Sequence, residues 1–276
     1  MQSKEFDESN SQKLIKYCSN IVFKYALTGI QNLFHLWVLV YTFLAELKRF
    51  YLSSTRRISG GLSYDYLQYD ISNLTKLPRH LSFVVNEDIN TNSCEIANLL
   101  CWTIAMGIPY ITLYDRHGIF KAGEKQLGKL INKKVIDFFG QERSQEISII
   151  LKDSSNTYKN GITFPRRFCI QILCEEDGRT DIALTAKSIA KMYTQKKLDL
   201  LNIDLNYIDK SLNAIKNIPD PDMAIQFGPV YSLMGFLPWQ TRLTEIFHVQ
   251  TYKNISYDTF RQCLVKYSKC DQRLGK

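Results

Sequence analysis

From residue 80 onward, short apolar runs alternate with longer stretches whose apolar positions recur every three or four residues. HLSFVV (80–85), YITLYD (110–115), EISIILKD (146–153), FCIQILC (168–174), DMAIQFG (222–228) and TEIFHV (244–249) have the length and composition of strands. Between them, CEIANLLCWTIAMG (94–107) is apolar nearly all round, which predicts a buried helix stopped by Gly107. GEKQLGKLINKKVIDFF (123–139) places Leu127, Leu130, Ile131, Val135 and Phe138 at helical spacing, with lysines mostly elsewhere. DIALTAKSIAKMYTQKK (181–197) is amphipathic through Ile182, Ala186, Ile189, Ala190 and Tyr193, and SYDTFRQCLVKYSKC (256–270) is a last helix capped by Ser256. A polar loop, SSNTYKNGITFPRR (154–167), separates two of the strands. Strands alternating with helices predict an α/β domain with a largely parallel central sheet flanked by helices.

The N-terminal third follows another pattern. Residues 1–20 are polar, and residues 21–47 enclose an uncharged stretch, YALTGIQNLFHLWVLVYTFLA, 21 residues long between Lys24 and Glu46. At ~1.5 Å per helical residue this length matches a hydrocarbon core of ~30 Å, which predicts a membrane anchor. Gln31, Asn32 and His35 leave a shallow interfacial helix open as the other reading. Lys48, Arg49, Arg56 and Arg57 favour a cytoplasmic C-terminal flank, with Lys13, Lys16 and Lys24 weighing against it. Residues 48–75, a mixture of Gly, Ser and polar side chains, read as a tether into a folded domain over 76–276.

Composition narrows the chemistry. A hydrophobic share of 45% across 276 residues suffices for one sizeable core. The net charge of +8 points weakly to an anionic partner, but the basic residues are dispersed. No zinc-finger spacing, RNP-like strand or basic-aromatic repeat is present, so nucleic acid is not an expected partner. The seven cysteines form no Cys-x-x-Cys pair and read as buried, reduced thiols of a cytosolic domain, with no expected zinc site.

Several places could carry chemistry. Asn86, Glu87 and Asp88 follow the first strand, where carboxylates could hold Mg²⁺, or where a polar turn could simply satisfy its own backbone. No Gly-rich phosphate loop follows. Asp115 and His117 end the second strand, either as an acid–base pair or as structural hydrogen-bonders. FGPVYSLMGFLPWQ (227–240) could line an apolar cleft or a subunit interface, with Phe236, Leu237 and Trp239 as anchors, or belong to the core. At the other end, Arg273 offers a bidentate fork for phosphate and Gly275 a close backbone approach, against the plainer reading of a frayed terminus.

LPRH (77–80), EIANLLCWTIAMGI (95–108), YITLYDRHGIFK (110–121), PDPDMAIQFGP (219–229), GFLPWQTRLTEI (235–246) and QRLGK (272–276) together resemble the cis-prenyltransferase family, and within it the Nogo-B receptor-like accessory, non-catalytic branch. Catalytic members end their first strand with aspartate-glycine-asparagine-arginine. Counted from His80, those positions hold Asn86, Glu87, Asp88 and Ile89. Of the second catalytic signature, the first arginine falls on Gln226, the serine on Gly228, the glutamate on Val230 and the second arginine on Ser232. The resemblance therefore implies a degenerate diphosphate site at both signatures.

What the resemblance retains is Arg273, Leu274 and Gly275. In the resembled complexes such a tail crosses the dimer interface to bind substrate diphosphate and complete the partner's catalytic site, while Mg²⁺ is bound mainly by that partner. The implied partner is a dehydrodolichyl diphosphate synthase catalytic subunit, sharing isopentenyl diphosphate and farnesyl diphosphate at that site. The implied setting is the endoplasmic reticulum membrane, in contact with lipid, with the folded domain facing the cytosol and the product feeding dolichol synthesis for glycosylation. Two alternatives stand beside it. One is a self-sufficient Mg²⁺-dependent prenyltransferase using Asp88 or Asp115, and the other is a membrane receptor or scaffold with no catalytic contribution.

Overall fold

The computed structural model describes residues 22–41, 43–44, 47, 64–89, 94–152, 166–213 and 218–271. The chain divides into two units, Met1–Ile58 and Ser59–Lys276. In the first, residues 22–41 form helix α1. Its apolar side chains are exposed, with Phe34, Trp37 and Tyr41 stacked in sequence at ring separations of 6.1 and 5.6 Å. Lys24, Thr28, Gln31, Asn32 and His35 share one face at helical spacing. This polar stripe dilutes the apolar surface, and among the described residues no helix is long and apolar enough to cross a membrane. The spanning anchor expected over 21–47 is therefore unsupported.

In the second unit the apolar runs become β1 (His80–Val85), β2 (Tyr110–Asp115), β3 (Ile147–Lys152), β4 (Arg166–Leu173), β5 (Met223–Phe227) and β6 (Glu245–Val249). They pair in the order β3-β4-β2-β1-β5-β6, every pair parallel. β1 and β5 are buried along their whole length, which is why both read as continuous rather than alternating apolar runs.

Alternation inside the sheet divides the two faces. Leu81, Phe83 and Val85 of β1, Ile111 and Leu113 of β2, and Phe168, Ile170 and Ile172 of β4 join the larger core. That core is closed by α2 (Tyr64–Ser72), α3 (Cys94–Ala105), α5 (Glu124–Ser144) and α8 (Tyr257–Ser268), through Leu67, Leu99, Ile131 and Phe260 among others. Each fully buried Leu, Ile or Phe contributes about 1.5–3 kcal/mol. The opposite face carries a smaller cluster of Val84, Tyr114, Leu173, Phe236 and Leu237. Beside it, Ser82, Thr112 and Gln171 stand in register across β1, β2 and β4, all buried.

Helix boundaries follow local chemistry. α3 stops where Gly107 adopts φ +78° and its N–H donates to Ile104 O at 2.9 Å. α8 starts at Ser256, whose hydroxyl accepts the Thr259 N–H at 3.2 Å. The short α4 (Ile119–Ala122) leads into α5, which breaks at Gly140. α6 (Arg179–Thr194) and α7 (Leu205–Asn213) complete the helices.

One expectation changes. Part of the stretch read as a tether, Tyr64–Ser72, is helix α2, with Leu67 and Asp70 buried. Asp70 accepts hydrogen bonds from Tyr257 Oη at 2.8 Å and Arg261 Nε at 2.7 Å, so α2 is fastened to α8 by a buried carboxylate. The six described cysteines are free, and burial pushes the Cys101 thiol up to about 12 and Cys263 to about 11.

Candidate functional site

Chain order reverses between β1 and β5: from β1 the sheet grows through β2 to one edge, and β5 then returns to β1's other side. In open α/β sheets the crevice outside the carboxyl ends of two such strands is where ligands bind. Here β1 runs into Asn86 and β5 into Gly228.

The crevice is filled by the chain itself. Gln226, buried in β5, donates from Nε2 to Val230 O at 2.8 Å and to Phe227 O at 3.1 Å. Asn86 donates from Nδ2 to the same Val230 carbonyl at 3.3 Å, and its backbone N–H reaches Phe227 O at 2.8 Å. Gly228 makes this possible. At φ +129° a Cβ there would lie 2.2 Å from Asn86 O, so only glycine lets the two strand ends approach. His248 of β6 holds the Gly228 carbonyl at 2.8 Å through Nε2. Gln226 Oε1 is left buried without a hydrogen-bond partner.

Two of the neighbouring acids, Glu87 and Asp115, are committed elsewhere. Glu87 accepts the Thr251 hydroxyl and the Tyr252 N–H, both at 2.7 Å, and so organises the turn after β6. Asp88 is exposed, and its backbone carbonyl accepts Tyr252 Oη at 3.0 Å. Ile89 packs on the larger core. Asp115 is buried and caps the N-terminus of α4, accepting the Ile119 and Phe120 N–H groups at 2.7 and 3.1 Å. Its neighbour His117 lines a surface cavity of about 590 Å³.

Mg²⁺ binding asks for converging carboxylate oxygens. At the end of β1 the amide of Asn86 and the engaged carboxylate of Glu87 do not supply them. Among the described residues no group of three or more His, Cys, Asp or Glu side chains is placed to hold a metal ion.

Beside the crevice, a second cavity of about 340 Å³ is lined by Arg116, Glu175, Arg179 and residues 232–235, including Ser232. An Arg116–Glu175 ion pair at 3.0 Å borders both cavities. Each partner holds the other in its charged form, the guanidinium pushed up and the carboxyl pulled down. These two charges offset one another at the surface.

Phe236 and Leu237, read as interface anchors, are buried inside this chain, where Phe236 packs edge-on against Tyr114 at 5.2 Å. Trp239 is half-buried. Its indole N–H donates to Asp209 Oδ1 of α7 at 2.9 Å, and Arg242 covers its ring at 5.1 Å. This segment therefore fixes α7 from within the chain. Val230 and Tyr231, beside it, are exposed. Arg273, Leu274 and Gly275 lie outside the described residues. Sequence reading missed the Val230 carbonyl as the acceptor that closes the crevice, because a backbone group leaves no signal in side-chain patterns.

An open, all-parallel six-stranded sheet with its crevice at the β1–β5 reversal defines the class of protein: an open α/β fold with its candidate site at the strand switch point. The crystal structure of lavandulyl diphosphate synthase from Lavandula x intermedia, in complex with dimethylallyl diphosphate, shares the fold with a TM-score of 0.52. That likeness covers 72% of this chain and 99% of that chain at 15% identity. A family model described as "Putative undecaprenyl diphosphate synthase" matches residues 122–275. The dehydrodolichyl diphosphate synthase complex subunit Nus1 of Mus musculus is 36% identical over 208 residues, covering 75% of this chain and 69% of its own length. The subunit of the same name from Schizosaccharomyces pombe is 30% identical over 224 residues, 77% of this chain and 83% of its own. The chain belongs to the cis-prenyltransferase family, on its accessory-subunit branch.

Proposed function

We propose that this chain is the non-catalytic subunit of a dehydrodolichyl diphosphate synthase complex, acting in the synthesis of cis-polyprenyl diphosphate for dolichol. The observation that carries the reading is the crevice at β1 and β5, closed by Asn86, Gln226 and the Val230 carbonyl in a chain that keeps the family fold. The names of the relatives, which call them complex subunits, support a catalytic partner.

A surface suited to that partner is α6. This helix buries none of its residues fully, and Ala183, Ala186, Ala190 and Tyr193 share one exposed face at helical spacing. Tyr193 supplies an exposed aromatic on that face, a residue type enriched where chains meet. The partner would hold Mg²⁺ and the bulk of the diphosphate contacts, with farnesyl diphosphate and isopentenyl diphosphate as substrates. Arg273 and Gly275 would reach its site from this chain, the guanidinium as a bidentate diphosphate ligand and Gly275 through its backbone N–H.

The setting proposed is the endoplasmic reticulum membrane, with the folded unit on the cytosolic side. α1, with an exposed apolar surface, stacked aromatics and one polar stripe, suits attachment in the plane of the interface. A growing polyprenyl chain partitions into the same membrane.

The test uses the purified chain with and without its catalytic subunit, supplied with farnesyl and isopentenyl diphosphates. Elongation is expected only with the partner present, and Arg273→Ala is expected to lower it steeply while the complex still forms. Elongation by this chain alone would overturn the reading, and an unchanged Arg273→Ala complex would remove the tail from it.

A further inference from the structure

The outward side of α5 carries a row of cations that the fold does not use. Lys125, Lys129 and Lys133 recur every fourth residue over ~12 Å of helix, and all three are exposed. None of them enters an ion pair among the described residues. Lys121, just upstream, stands apart because Asp177 engages it at 3.4 Å. Glu124 neighbours Lys125 in sequence and so points to another side of the helix, and Asp137 follows only one turn beyond Lys133.

This row works against the helix that bears it. Like charges four residues apart repel one another. Lys125 stands in the first turn, where the aligned peptide dipoles disfavour a cation, and Gly123 at the N-cap has no side chain to offset it. α5 is held instead by its other side. Leu127, Ile131, Val135 and Phe139 are buried, and Gly128 lies so close to β3 that a Cβ there would come within 2.9 Å of Leu151 Cδ1. The lysines are therefore displayed by a firmly seated element. Ile136, 41% exposed, stands on the same side, seven residues from Lys129 and three from Lys133. Cations on long methylene stems around an exposed apolar side chain match the boundary between phospholipid headgroups and acyl chains.

We infer that the outward side of α5 is a docking surface for the headgroups of an anionic phospholipid membrane, with Lys125, Lys129 and Lys133 as its contacts. Two observations favour lipid over an acidic protein. α1 of the same chain exposes apolar and stacked aromatic side chains suited to a membrane interface. On α5 itself neither aromatic, Phe138 or Phe139, is exposed, so the row lacks the aromatic anchors typical of protein interfaces. The inference takes its setting from the membrane attachment proposed for α1 and goes beyond it in naming a second surface and the charge of the lipid.

The experiment floats the full chain with vesicles of phosphatidylcholine alone, or with phosphatidylserine added, over a series of NaCl concentrations. It compares the wild type with the triple variant Lys125→Gln, Lys129→Gln, Lys133→Gln. A control triple, Lys196→Gln, Lys197→Gln, Lys210→Gln, removes the same charge from other exposed positions of the second unit. Wild type and control are expected to prefer the anionic vesicles. The α5 triple should lose about fivefold of that preference per lysine, about 100-fold in all, and rising salt should bring the wild type down to it. Its Tm should be unchanged or slightly raised, because like-charge repulsion within α5 is gone. An α5 triple that keeps the wild-type preference would overturn the inference, as would equal losses in the two triples, which would reduce the effect to net charge. Intact lipid preference with weakened binding of the catalytic subunit would make the row a protein-docking surface and overturn the assignment to lipid. Wild-type binding to neutral vesicles reads the attachment through α1 separately. Its absence would overturn that reading while a lysine-dependent preference for anionic vesicles still upheld this one. If the triple does not fold, Lys129→Gln alone decides, with an expected loss of about fivefold.

Discussion

His80 is the residue on which acid stability should turn. It is fully buried at the start of β1, where Nδ1–H donates to Pro219 O at 2.7 Å. A carbonyl can only accept, so this bond sets the tautomer and leaves Nε2 to accept the Thr112 hydroxyl at 2.8 Å. Both nitrogens are satisfied in the neutral ring. Burial disfavours the imidazolium and lowers the pKa from 6.5 to about 4, against smaller opposing contributions from the Pro219 carbonyl and the Asp222 charge.

The sign follows directly. With the folded value below the unfolded one, the unfolded chain takes up a proton near pH 6.5 that the folded chain refuses until about pH 4. The stabilisation from keeping His80 neutral is complete above the unfolded value and is lost as pH falls through this window, at about 1.4 kcal/mol per pH unit. The whole window amounts to about 3 kcal/mol, a large part of a stability of about 5–15 kcal/mol. Urea unfolding of the wild-type chain and of His80→Gln, at intervals from about pH 7.5 to about pH 4.5, isolates this contribution. His80→Gln should be less stable at neutral pH yet show a slope shallower by about one proton. Parallel slopes in the two proteins, or an NMR titration placing the His80 imidazole near 6.5, would refute the reasoning.

Three further outcomes follow from the crevice and from α6. Gly228→Ala forces a Cβ to 2.2 Å from Asn86 O at a φ of +129°, and should cost about 3 kcal/mol, seen as a Tm lowered by roughly 6–12 °C. Asn86→Asp removes a donor to Val230 O and sets a carboxylate against that carbonyl. It should destabilise by about 1–3 kcal/mol in urea titrations and give the isolated chain no elongation activity in a radiolabel assay. Ala186→Arg, on the exposed face of α6, should leave Tm nearly unchanged and weaken binding of the catalytic subunit by at least about tenfold in titration calorimetry.

The six strands and the helices α3, α5, α6 and α8 were legible because their signals are local. β1 and β5, buried on both faces, leave unbroken apolar runs, and Gly107 and Ser256 mark boundaries in the α-conformation by their own chemistry. α2 was not legible: YDYLQYDIS has one fully buried aliphatic, Leu67, and its key contact is Asp70, a carboxylate whose partners lie 187 and 191 residues away. Phe236 and Leu237 illustrate a second limit. An apolar pair beside turn residues suits an interface or a core equally, and only the packing against Tyr114 separates the two. That uncharged residues, Asn86 and Gln226, stand at the crevice could be read from the sequence, whereas its closure could not, because it depends on contacts spanning 144 residues.

The closure ties Asn86, Gln226 and Gly228 together. A site that had merely lost its charged groups would leave an open, hydrated crevice at the β1–β5 reversal. In this chain Gly228 lets the strand ends meet, and only then does the Val230 carbonyl come within reach of both Asn86 and Gln226. Each amide is useful because the other features are present. A carboxylate at Asn86 would face a carbonyl, an arginine at Gln226 would bring a charge into a position that is 1% exposed, and a Cβ at Gly228 would push the strands apart. Substitution of any one of the three therefore meets a packing or electrostatic penalty set by the others. The crevice is held shut by mutual dependence of its residues.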